Sequence, residues 1–234
     1  MRNATVIIPT YNEAMNIVRI CAAVLKAAPE AHILIVDDNS PDGTGTLANE
    51  LAKASAHISV LERKGKEGLG KAYLHAFAAV LAESDVKVIC TMDADFSHDP
   101  ADVPKLIKAC DDYDVAIGSR YVCGGRTVGW SLWRRVLSWG GNLYAGFVTR
   151  IPVRDLTAGF IAVRTDTLRT VGLENINSSG YAYQIELKCA LWKSGARITE
   201  VPITFRERIG GESKISGHIV SEGIIAPWKI VWKK

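Results

Sequence analysis

Short runs of apolar and β-branched residues recur along the chain and are separated by longer stretches of mixed polarity. Such runs predict strands that are covered on both faces, and the stretches between them predict helices. The predicted strands cover residues 4–9, 33–36, 58–61, 86–92 and 115–119. Strands that alternate with helices at this spacing predict an α/β fold with a mostly parallel central sheet flanked by helices.

Polar and acidic residues follow the first two of these runs, where each predicted strand ends. Ligands of open α/β sheets bind beyond the carboxyl ends of the strands, so these residues are expected to share one rim. They are Tyr11, Glu13, Asp37 and Asp38. Asn12 and Glu13 are also suited to begin the first helix, which is expected to reach about residue 28.

The fourth run stops abruptly on Asp93-Ala94-Asp95. Two carboxylates at the end of a buried strand repel each other, and burial raises their pKa, so they need a cation or hydrogen-bond donors to stay ionised. A divalent metal meets that need most simply. The alternative is a polar turn before the helix that Asp99 would start, and Asp37 and Asp38 have a corresponding alternative as helix caps.

The segment 120–154 has a different composition. It contains six arginines and no Asp, Glu or Lys, and its arginines are interleaved with tryptophan, tyrosine and phenylalanine. Arginine binds phosphate through two parallel hydrogen bonds and indoles favour the headgroup level of a bilayer, so the segment predicts amphipathic helices at a membrane interface. A core helix with a solvated basic face is the alternative, and nucleic acid is disfavoured because no continuous basic track extends beyond this segment.

The last third returns to an α/β pattern. A strand is expected to run to Val163, a helix to cover residues 181–193, and a period-2 strand to cover residues 198–205 at a sheet edge because of Pro202. A charged, glycine-bearing loop follows. The tail, residues 215–234, is expected to be interrupted near Pro227 and to lie on a membrane or a partner.

Composition narrows the class of protein further. The chain has 234 residues with 28 basic and 25 acidic side chains, and this net charge of +3 is too balanced for general nucleic-acid binding. Its five cysteines are scattered without a C-x-x-C pair, which favours neither a disulfide framework nor a zinc site. The first strand begins too early for a signal peptide, and no uncharged apolar stretch reaches the roughly 18 residues of a spanning helix, so a cytoplasmic location is expected.

Five motifs, taken in order, resemble the inverting family 2 glycosyltransferases of GT-A fold, and within them the dolichyl- or polyprenyl-phosphate mannosyltransferases. The resemblance runs from residue 4 to about residue 214, and segments 129–134 and 155–160 also match that subfamily. The motifs are PTYNE (9–13), VDDNSPDG (36–43), MDADFSH (92–98), GSRY (118–121) and GESK (211–214). The implied organisation is a single catalytic domain, residues 1–214, with the segment 120–154 as its acceptor and membrane interface, followed by the amphipathic tail 215–234.

The resemblance also implies a set of site residues. The nucleotide-sugar donor would be bound by Pro9, Tyr11, Glu13, Val36, Asp38, Asp93, Ala94, Asp95, Arg208 and Lys214. The acceptor phosphate would be bound by Arg120, Arg134 and Ser138, and Mg²⁺ or Mn²⁺ by Asp93 and Asp95. Asp95, Arg120 and Arg134 would be the catalytic residues. Ser97 departs from the pattern, because relatives often have a metal-binding Gln there and a hydroxyl is a shorter, poorer ligand.

The implied reaction is transfer of mannose from GDP-mannose to dolichyl or polyprenyl phosphate, with inversion. A phosphate monoester has a second pKa of about 6 and is already largely dianionic at neutral pH, so no general base is required. The protein is then expected on the cytosolic face of a membrane as a peripheral protein. A membrane-spanning partner subunit is a further expectation, because some relatives carry transmembrane helices after the catalytic domain.

Three other functions stay open from the sequence. A uridine-nucleotide donor would make the chain a UDP-glucose-dependent polyprenyl-phosphate glucosyltransferase. Transfer to a saccharide would need a carboxylate base, for which Glu186 and Asp155 are the candidates. A nucleotide-sugar binding module without catalysis is the non-enzymatic alternative, although the acidic and arginine motifs are intact.

Overall fold

Seven strands form the central sheet of the computed structural model, which describes residues 4–83, 85–178, 180–207 and 217–232. In sheet order they are β3 (Ile58–Glu62), β2 (His32–Asp37), β1 (Ala4–Thr10), β4 (Val88–Thr91), β7 (Ile161–Arg164), β5 (Val115–Ser119) and β8 (Ile198–Pro202). Only β7 is antiparallel to its neighbours, so the predicted mostly parallel sheet is confirmed.

Helices connect the strands and cover both faces of the sheet. They are α1 (Ile17–Ala27), α2 (Thr44–Ala54), α3 (Leu69–Leu81), α4 (Val103–Ala109), α5 (Leu132–Thr149), α6 (Thr165–Thr170), α7 (Gly180–Lys193) and α8 (Gly217–Trp232). Short 3₁₀ turns occupy Pro100–Asp102 and Leu173–Asn175.

The apolar runs have partners on both sides of the sheet because strand side chains alternate between its faces. Within β1, Ile7 joins the buried cluster that contains Tyr73 of α3 and Tyr183 of α7. Its neighbours Val6 and Ile8 join the opposite cluster, which contains residues of α1 and α4. This double burial explains why the run is continuously apolar.

The expected start of α1 at Asn12 and Glu13 is wrong, because the helix begins at Ile17. Asn12 has a left-handed backbone with φ of 61°. Its amide donates to Ser40 Oγ at 3.1 Å, and the amide of Glu13 donates to Thr44 Oγ1 at 2.9 Å. These amides bond to the loop after β2 and to the first residue of α2, so they are not the free donors of a helix N-terminus.

The single strand expected over residues 198–205 is divided at the buried Ile203. Its first part is β8, which lies at the sheet edge as Pro202 predicted. The second part, β9 (Thr204–Arg206), leaves the sheet and pairs in parallel with β6 (Arg126–Val128). The sequence analysis did not predict this two-stranded sheet, since three-residue strands carry little periodicity.

The expected interruption of the tail is also wrong, because α8 continues through Pro227. The helix packs on the protein itself: Ala226 and Ile230 are buried, and Trp228 Nε1 donates to Tyr144 Oη of α5 at 2.8 Å. A proline costs one helical hydrogen bond, and tertiary packing of this kind offsets that cost. No helix in the described part of the chain combines the length and apolarity needed to span a membrane.

Candidate active site

Asp37 organises the loop that follows β2. Its carboxylate accepts hydrogen bonds from Thr10 Oγ1 at 3.0 Å, from the Ser40 amide at 3.0 Å and from Ser40 Oγ at 2.6 Å. The first amide of α2 instead bonds to Asp42 at 3.0 Å. Asp37 therefore joins the ends of β1 and β2, and capping of α2, the alternative considered for it, is not its role.

Asp38 lies beside a buried arginine that the sequence analysis missed. Arg63 Nη1 donates to Asp38 Oδ1, and its Nη2 donates to Glu67 at 2.9 Å. Burial raises the pKa of Asp38, and the positive charge of Arg63 opposes that rise. Arg63 directly follows β3, the neighbour of β2, so its strand-end position was the available indication that it reaches this rim.

The predicted nucleotide-binding residues come together on this rim. Pro9 pairs with Val36 across β1 and β2, which brings Tyr11, Glu13 and Asp38 to adjacent strand ends. The Val36 side chain is fully buried in the core. The ammonium group of Lys66 lies 4.1 Å from the centroid of the Tyr11 ring, a cation–π contact that places a positive charge here. The remaining members of this group are Glu13, which is half-buried, and Asp38, which is buried.

The loop after β4 carries Asp93 and Asp95 in different environments. The Asp93 side chain is 38% exposed, whereas Asp95 is buried and accepts a hydrogen bond from the Ser97 amide at 3.0 Å. Between them and Ser97, Phe96 adopts a left-handed backbone with φ of 59°. That conformation costs an ordinary residue about 1 kcal/mol or more, and strain of this kind concentrates at functional sites.

His98 is a buried residue that contacts the same loop. Its Nδ1 accepts a hydrogen bond from the Asp93 amide at 3.1 Å, and its ring stacks on Phe160 at a centroid distance of 4.8 Å. Burial lowers the pKa of His98 to about 4, although the negative charge of Asp95 opposes that change. The ring is therefore neutral at physiological pH, with its proton on Nε2 and its Nδ1 free to accept.

The loop has the ligand chemistry of a divalent-metal site. The Ser97 hydroxyl is buried next to Asp95 and has no hydrogen-bond partner among the residues that the structure describes. Within residues 4–83, 85–178, 180–207 and 217–232, no three His, Cys, Asp or Glu side chains are grouped as a metal site. Asp93 and Asp95 thus supply two carboxylates, and an unsatisfied hydroxyl lies beside them. Oxygen ligands of this kind suit Mg²⁺ or Mn²⁺.

Arg120 is held rigidly at the end of β5. Its Nε donates to Asp155 Oδ2 at 2.8 Å, and its Nη2 donates to Asp155 Oδ1 at 2.6 Å and to Thr157 Oγ1 at 2.8 Å. Asp155 is fully buried, so it is not placed as a base for a saccharide acceptor. Glu186, the other candidate base, is also buried and accepts from the Ser178 amide at 2.8 Å.

Arg134 lies on the first turn of α5 against Trp130. Its guanidinium carbon is 4.1 Å from the Trp130 ring centroid, and its Nη1 donates to Glu207 at 3.1 Å. The Arg134 Nε is buried and has no hydrogen-bond partner within the described part of the chain. Ser138, one helical turn later, accepts a hydrogen bond from Tyr121 Oη at 2.8 Å. Arg134 and Ser138 therefore share one face of α5, as predicted.

An aromatic chain connects the acidic loop with these acceptor residues. His98 meets Phe205 edge-on at 5.3 Å between centroids, and Phe205 meets Trp130 edge-on at the same distance. Trp130 in turn contacts Arg134. Phe205 belongs to β9, the strand that the sequence analysis did not resolve. Arg208 and Lys214, the two predicted donor residues that follow it, lie outside the described residues.

The outer face of α5 is apolar and exposed. Asn142, Ala145 and Val148 are the buried residues of this helix. Its exposed residues include Leu132, Trp133, Val136, Trp139, Leu143 and Phe147. On α8, Ile225, Trp228 and Trp232 are also exposed. A core helix with a solvated basic face, the alternative considered above, does not describe α5.

The chain was compared with known families and proteins. It matches the family described as "Glycosyl transferase family 2" over residues 5–172. It is 44% identical over 219 residues to the undecaprenyl-phosphate mannosyltransferase of Micrococcus luteus, with 94% of this chain and 90% of that protein covered. It is 45% identical over 229 residues to the polyprenol monophosphomannose synthase of Mycolicibacterium smegmatis, with 96% and 86% covered.

Two solved structures show the same fold. Glucosyl-3-phosphoglycerate synthase from Mycobacterium tuberculosis, in complex with Mn²⁺, UDP and phosphoglyceric acid, has a TM-score of 0.71 and 16% identity over 99% of this chain and 79% of that one. A mannosyltransferase from Pyrobaculum calidifontis, in complex with GDP-Man and Mn²⁺, has a TM-score of 0.58 and 16% identity over 90% of this chain and 58% of that one. These likenesses confirm the predicted GT-A-like fold.

Proposed function

This chain belongs to glycosyltransferase family 2, and on that premise we propose that it transfers mannose from GDP-mannose to a polyprenyl phosphate with inversion. The observation that carries the proposal is the aromatic chain from His98 to Trp130. It joins a carboxylate loop suited to a metal-diphosphate group with an arginine suited to a second phosphate. The names of the two relatives, similar over nearly their whole length, support mannose as the sugar and a polyprenyl phosphate as the acceptor.

The donor would occupy the rim at the ends of β1, β2 and β4. Glu13 and Asp38 offer carboxylate acceptors to the N–H and hydroxyl groups of a nucleoside, and Tyr11 offers a ring face. Ala94 separates the two carboxylates of this loop, and it would contribute its backbone to the donor site. Arg208 and Lys214 stay predictions as cations around the donor phosphates.

Asp95 and Asp93 would hold Mg²⁺ or Mn²⁺, with Ser97 beside them. The bound ion would supply neutralisation of the negative charge that develops on the leaving diphosphate. Asp95 is the stronger ligand candidate because its carboxylate is buried and oriented by the Ser97 amide. Asp93, which is more exposed, would face the donor as well.

The acceptor phosphate would be bound by Arg120, Arg134 and Ser138. A dianionic phosphate oxygen is itself the nucleophile, so the protein needs to orient it toward the anomeric carbon and has no proton to remove. Among the described residues, the Arg134 guanidinium has a buried Nε without a hydrogen-bond partner and an Nη1 that donates to the half-exposed Glu207. It can therefore exchange a carboxylate for a phosphate at small cost.

The exposed apolar face of α5 and α8 would lie on a membrane whose surface is anionic. Tryptophans populate the headgroup level, and α5 carries no acidic residue to repel phosphate. Arg135 of α5, Arg150 directly after this helix and Arg126 of β6 are also exposed. The lipid phosphate would then reach Arg134 from the membrane side, and the protein would be peripheral on the cytosolic face, where nucleotide sugars are available.

A donor comparison tests this proposal. The protein is incubated with undecaprenyl phosphate, Mn²⁺ or Mg²⁺, and either GDP-mannose or UDP-glucose, and both nucleotide release and glycolipid formation are measured. We expect mannosyl lipid and GDP in equal amounts, and at least about a hundredfold lower rate with UDP-glucose. A preference for UDP-glucose would make it a glucosyltransferase, and donor binding without any turnover would make it a binding module.

A further inference from the structure

The orientation of Arg120 depends on a segment without regular secondary structure. Asp155 and Thr157, which hold its guanidinium, belong to the stretch between α5 and β7. Asp155 and Thr157 belong to no helix or strand, so no regular backbone hydrogen-bonding pattern holds them in position. If Arg120 binds the acceptor phosphate as proposed above, the contacts that immobilise residues 154–158 become part of the acceptor site.

Two sides of this segment are tied to neighbouring elements. Glu200 of β8 accepts hydrogen bonds from the amides of Arg154 at 2.9 Å and Asp155 at 3.0 Å. Asn142 of α5 accepts from the Thr157 amide at 3.0 Å and donates to the Thr157 hydroxyl at 3.0 Å. These contacts serve backbone amides and one side chain. None of them involves the carbonyl groups of Leu156 and Ala158.

A buried lysine serves those carbonyls. Lys188 of α7 is fully buried, and its Nζ donates to Ala158 O at 2.7 Å and to Leu156 O at 3.1 Å. It also contacts the Gln184 carbonyl, one turn earlier in its own helix, at 3.3 Å. Leu156 and Ala158 alternate with the two residues that hold Arg120, so one ammonium group restrains the peptide units on either side of Thr157.

Burying a lysine at this position is energetically unfavourable. Removing an ammonium from water costs several kcal/mol, and apolar replacements of buried charges are often neutral or stabilising. Burial lowers the pKa of Lys188 to about 7, although the negative charge of Asp155 opposes that change. Either protonation state keeps at least two N–H donors, so the contacts with both carbonyls persist. The benefit of Lys188 therefore lies in the geometry that it imposes.

We propose that Lys188 is a positioning residue for the acceptor phosphate. By fixing the carbonyls of Leu156 and Ala158, it holds Asp155 and Thr157 in place and through them orients the Arg120 guanidinium. It touches neither substrate. This inference rests on the proposed function, because it assigns Arg120 to the acceptor.

A double-mutant cycle tests the proposal. Lys188→Met keeps the length and packing of the side chain and removes its donors. We expect it to lower kcat/KM for undecaprenyl phosphate about tenfold while the KM for GDP-mannose changes less than about twofold. In an Arg120→Lys background, Lys188→Met should lower kcat/KM for undecaprenyl phosphate less than about threefold, because the guanidinium geometry that Lys188 maintains is already lost. An equal loss in both backgrounds would overturn the proposal, as would a matching rise in the KM of both substrates.

Glu200→Gln provides an independent approach to the same segment. It weakens the anchoring of Arg154 and Asp155 from the partly exposed β8, and should produce the same acceptor-specific loss at about threefold. If Lys188→Met does not fold, as judged by thermal melting, the cycle is run with Lys188→Gln and the same two criteria apply. Wild-type turnover in the same assay separates the two ideas: no mannosyl lipid contradicts the proposed function, whereas normal turnover with additive losses contradicts only the role of Lys188.

Discussion

The proposed donor rim and the proposed acceptor region carry opposite charges. The rim collects carboxylates at the ends of β1, β2 and β4, and its balancing positive charge comes partly from Arg63 and Lys66 and, as proposed, from a metal. The acceptor region collects arginines, which are balanced by resident carboxylates: Asp155 holds Arg120 and Glu207 holds Arg134.

The two acceptor ion pairs also differ from each other. Asp155 is fully buried and binds Arg120 through both oxygens, so this pair is a fixed structural unit. Glu207 is 51% exposed on its side chain and contacts Arg134 through one oxygen at 3.1 Å. Exposed ion pairs contribute little to stability, so a phosphate would displace the carboxylate partner of Arg134 more easily than that of Arg120.

The largest expected effect belongs to the donor side. Asp95→Ala should reduce kcat by at least about a thousandfold, because it removes the buried carboxylate proposed to hold the metal. Initial rates of mannosyl-lipid formation measure this, with Asp111→Ala as the control for loss of an exposed carboxylate. Unchanged turnover in a folded Asp95→Ala protein would remove the metal-diphosphate role from this loop.

The acceptor side is tested by Arg134→Ala. We expect about a hundredfold lower kcat/KM for undecaprenyl phosphate in detergent, with the KM for GDP-mannose unchanged, because a charged phosphate contact is lost. Arg135→Ala, the adjacent exposed arginine of α5, should change the same ratio less than about threefold. If Arg134→Ala and Arg135→Ala lower kcat/KM equally, the overall positive charge of α5 matters and the specific position of Arg134 does not.

A third effect concerns the surface of α5. Trp133 and Phe147 are 72% and 81% exposed. Replacing both with Ser should weaken binding to vesicles of anionic phospholipid about tenfold or more, since each aromatic loses apolar contact with lipid. Vesicle sedimentation measures the binding. Trp192→Ser, on α7, serves as the control because it removes an exposed indole elsewhere, and an equal loss there would contradict a localised docking face.

The smallest effect is a pH dependence of stability from Lys188. Its pKa is lowered from 10.5 to about 7 in the folded protein, so the unfolded chain binds one more proton between these values. This lysine should therefore make the free energy of unfolding rise by about 1 kcal/mol per pH unit between about pH 7 and pH 10.5, because the destabilisation that its burial causes is fully present below pH 7 and is relieved as pH rises toward 10.5.

Denaturant unfolding at pH 7.5 and 8.5 measures that slope for the wild type and for Lys188→Met. The free energy of unfolding of Lys188→Met should lack the rise with pH that comes from this lysine, because the variant has no amine at residue 188 to titrate. Equal slopes in the two proteins would show that the environment of Lys188 is more hydrated than its burial indicates.

The chain by itself determined the donor rim, because short-range rules suffice there. The continuous apolar runs identify the buried strands β1, β2 and β4. Because these strands are parallel, their carboxyl ends meet at one edge of the sheet, and the residues that follow each run lie on that edge. Tyr11, Glu13, Asp38 and the Asp93–Asp95 loop were located by that reasoning. The start of α1 escaped it, because the amide of Asn12 bonds to the loop after β2 and the amide of Glu13 bonds to the first residue of α2.

Only the tertiary structure decided what surrounds the arginines. Asp155 is 35 residues from Arg120 and Glu207 is 73 residues from Arg134, and neither separation follows a helical or strand period. Lys188 looked like an ordinary helix residue, and β9 was too short to be distinguished from β8. Such pairings depend on which elements pack together and on the balance between desolvation and Coulomb attraction at that point, quantities that no local pattern encodes.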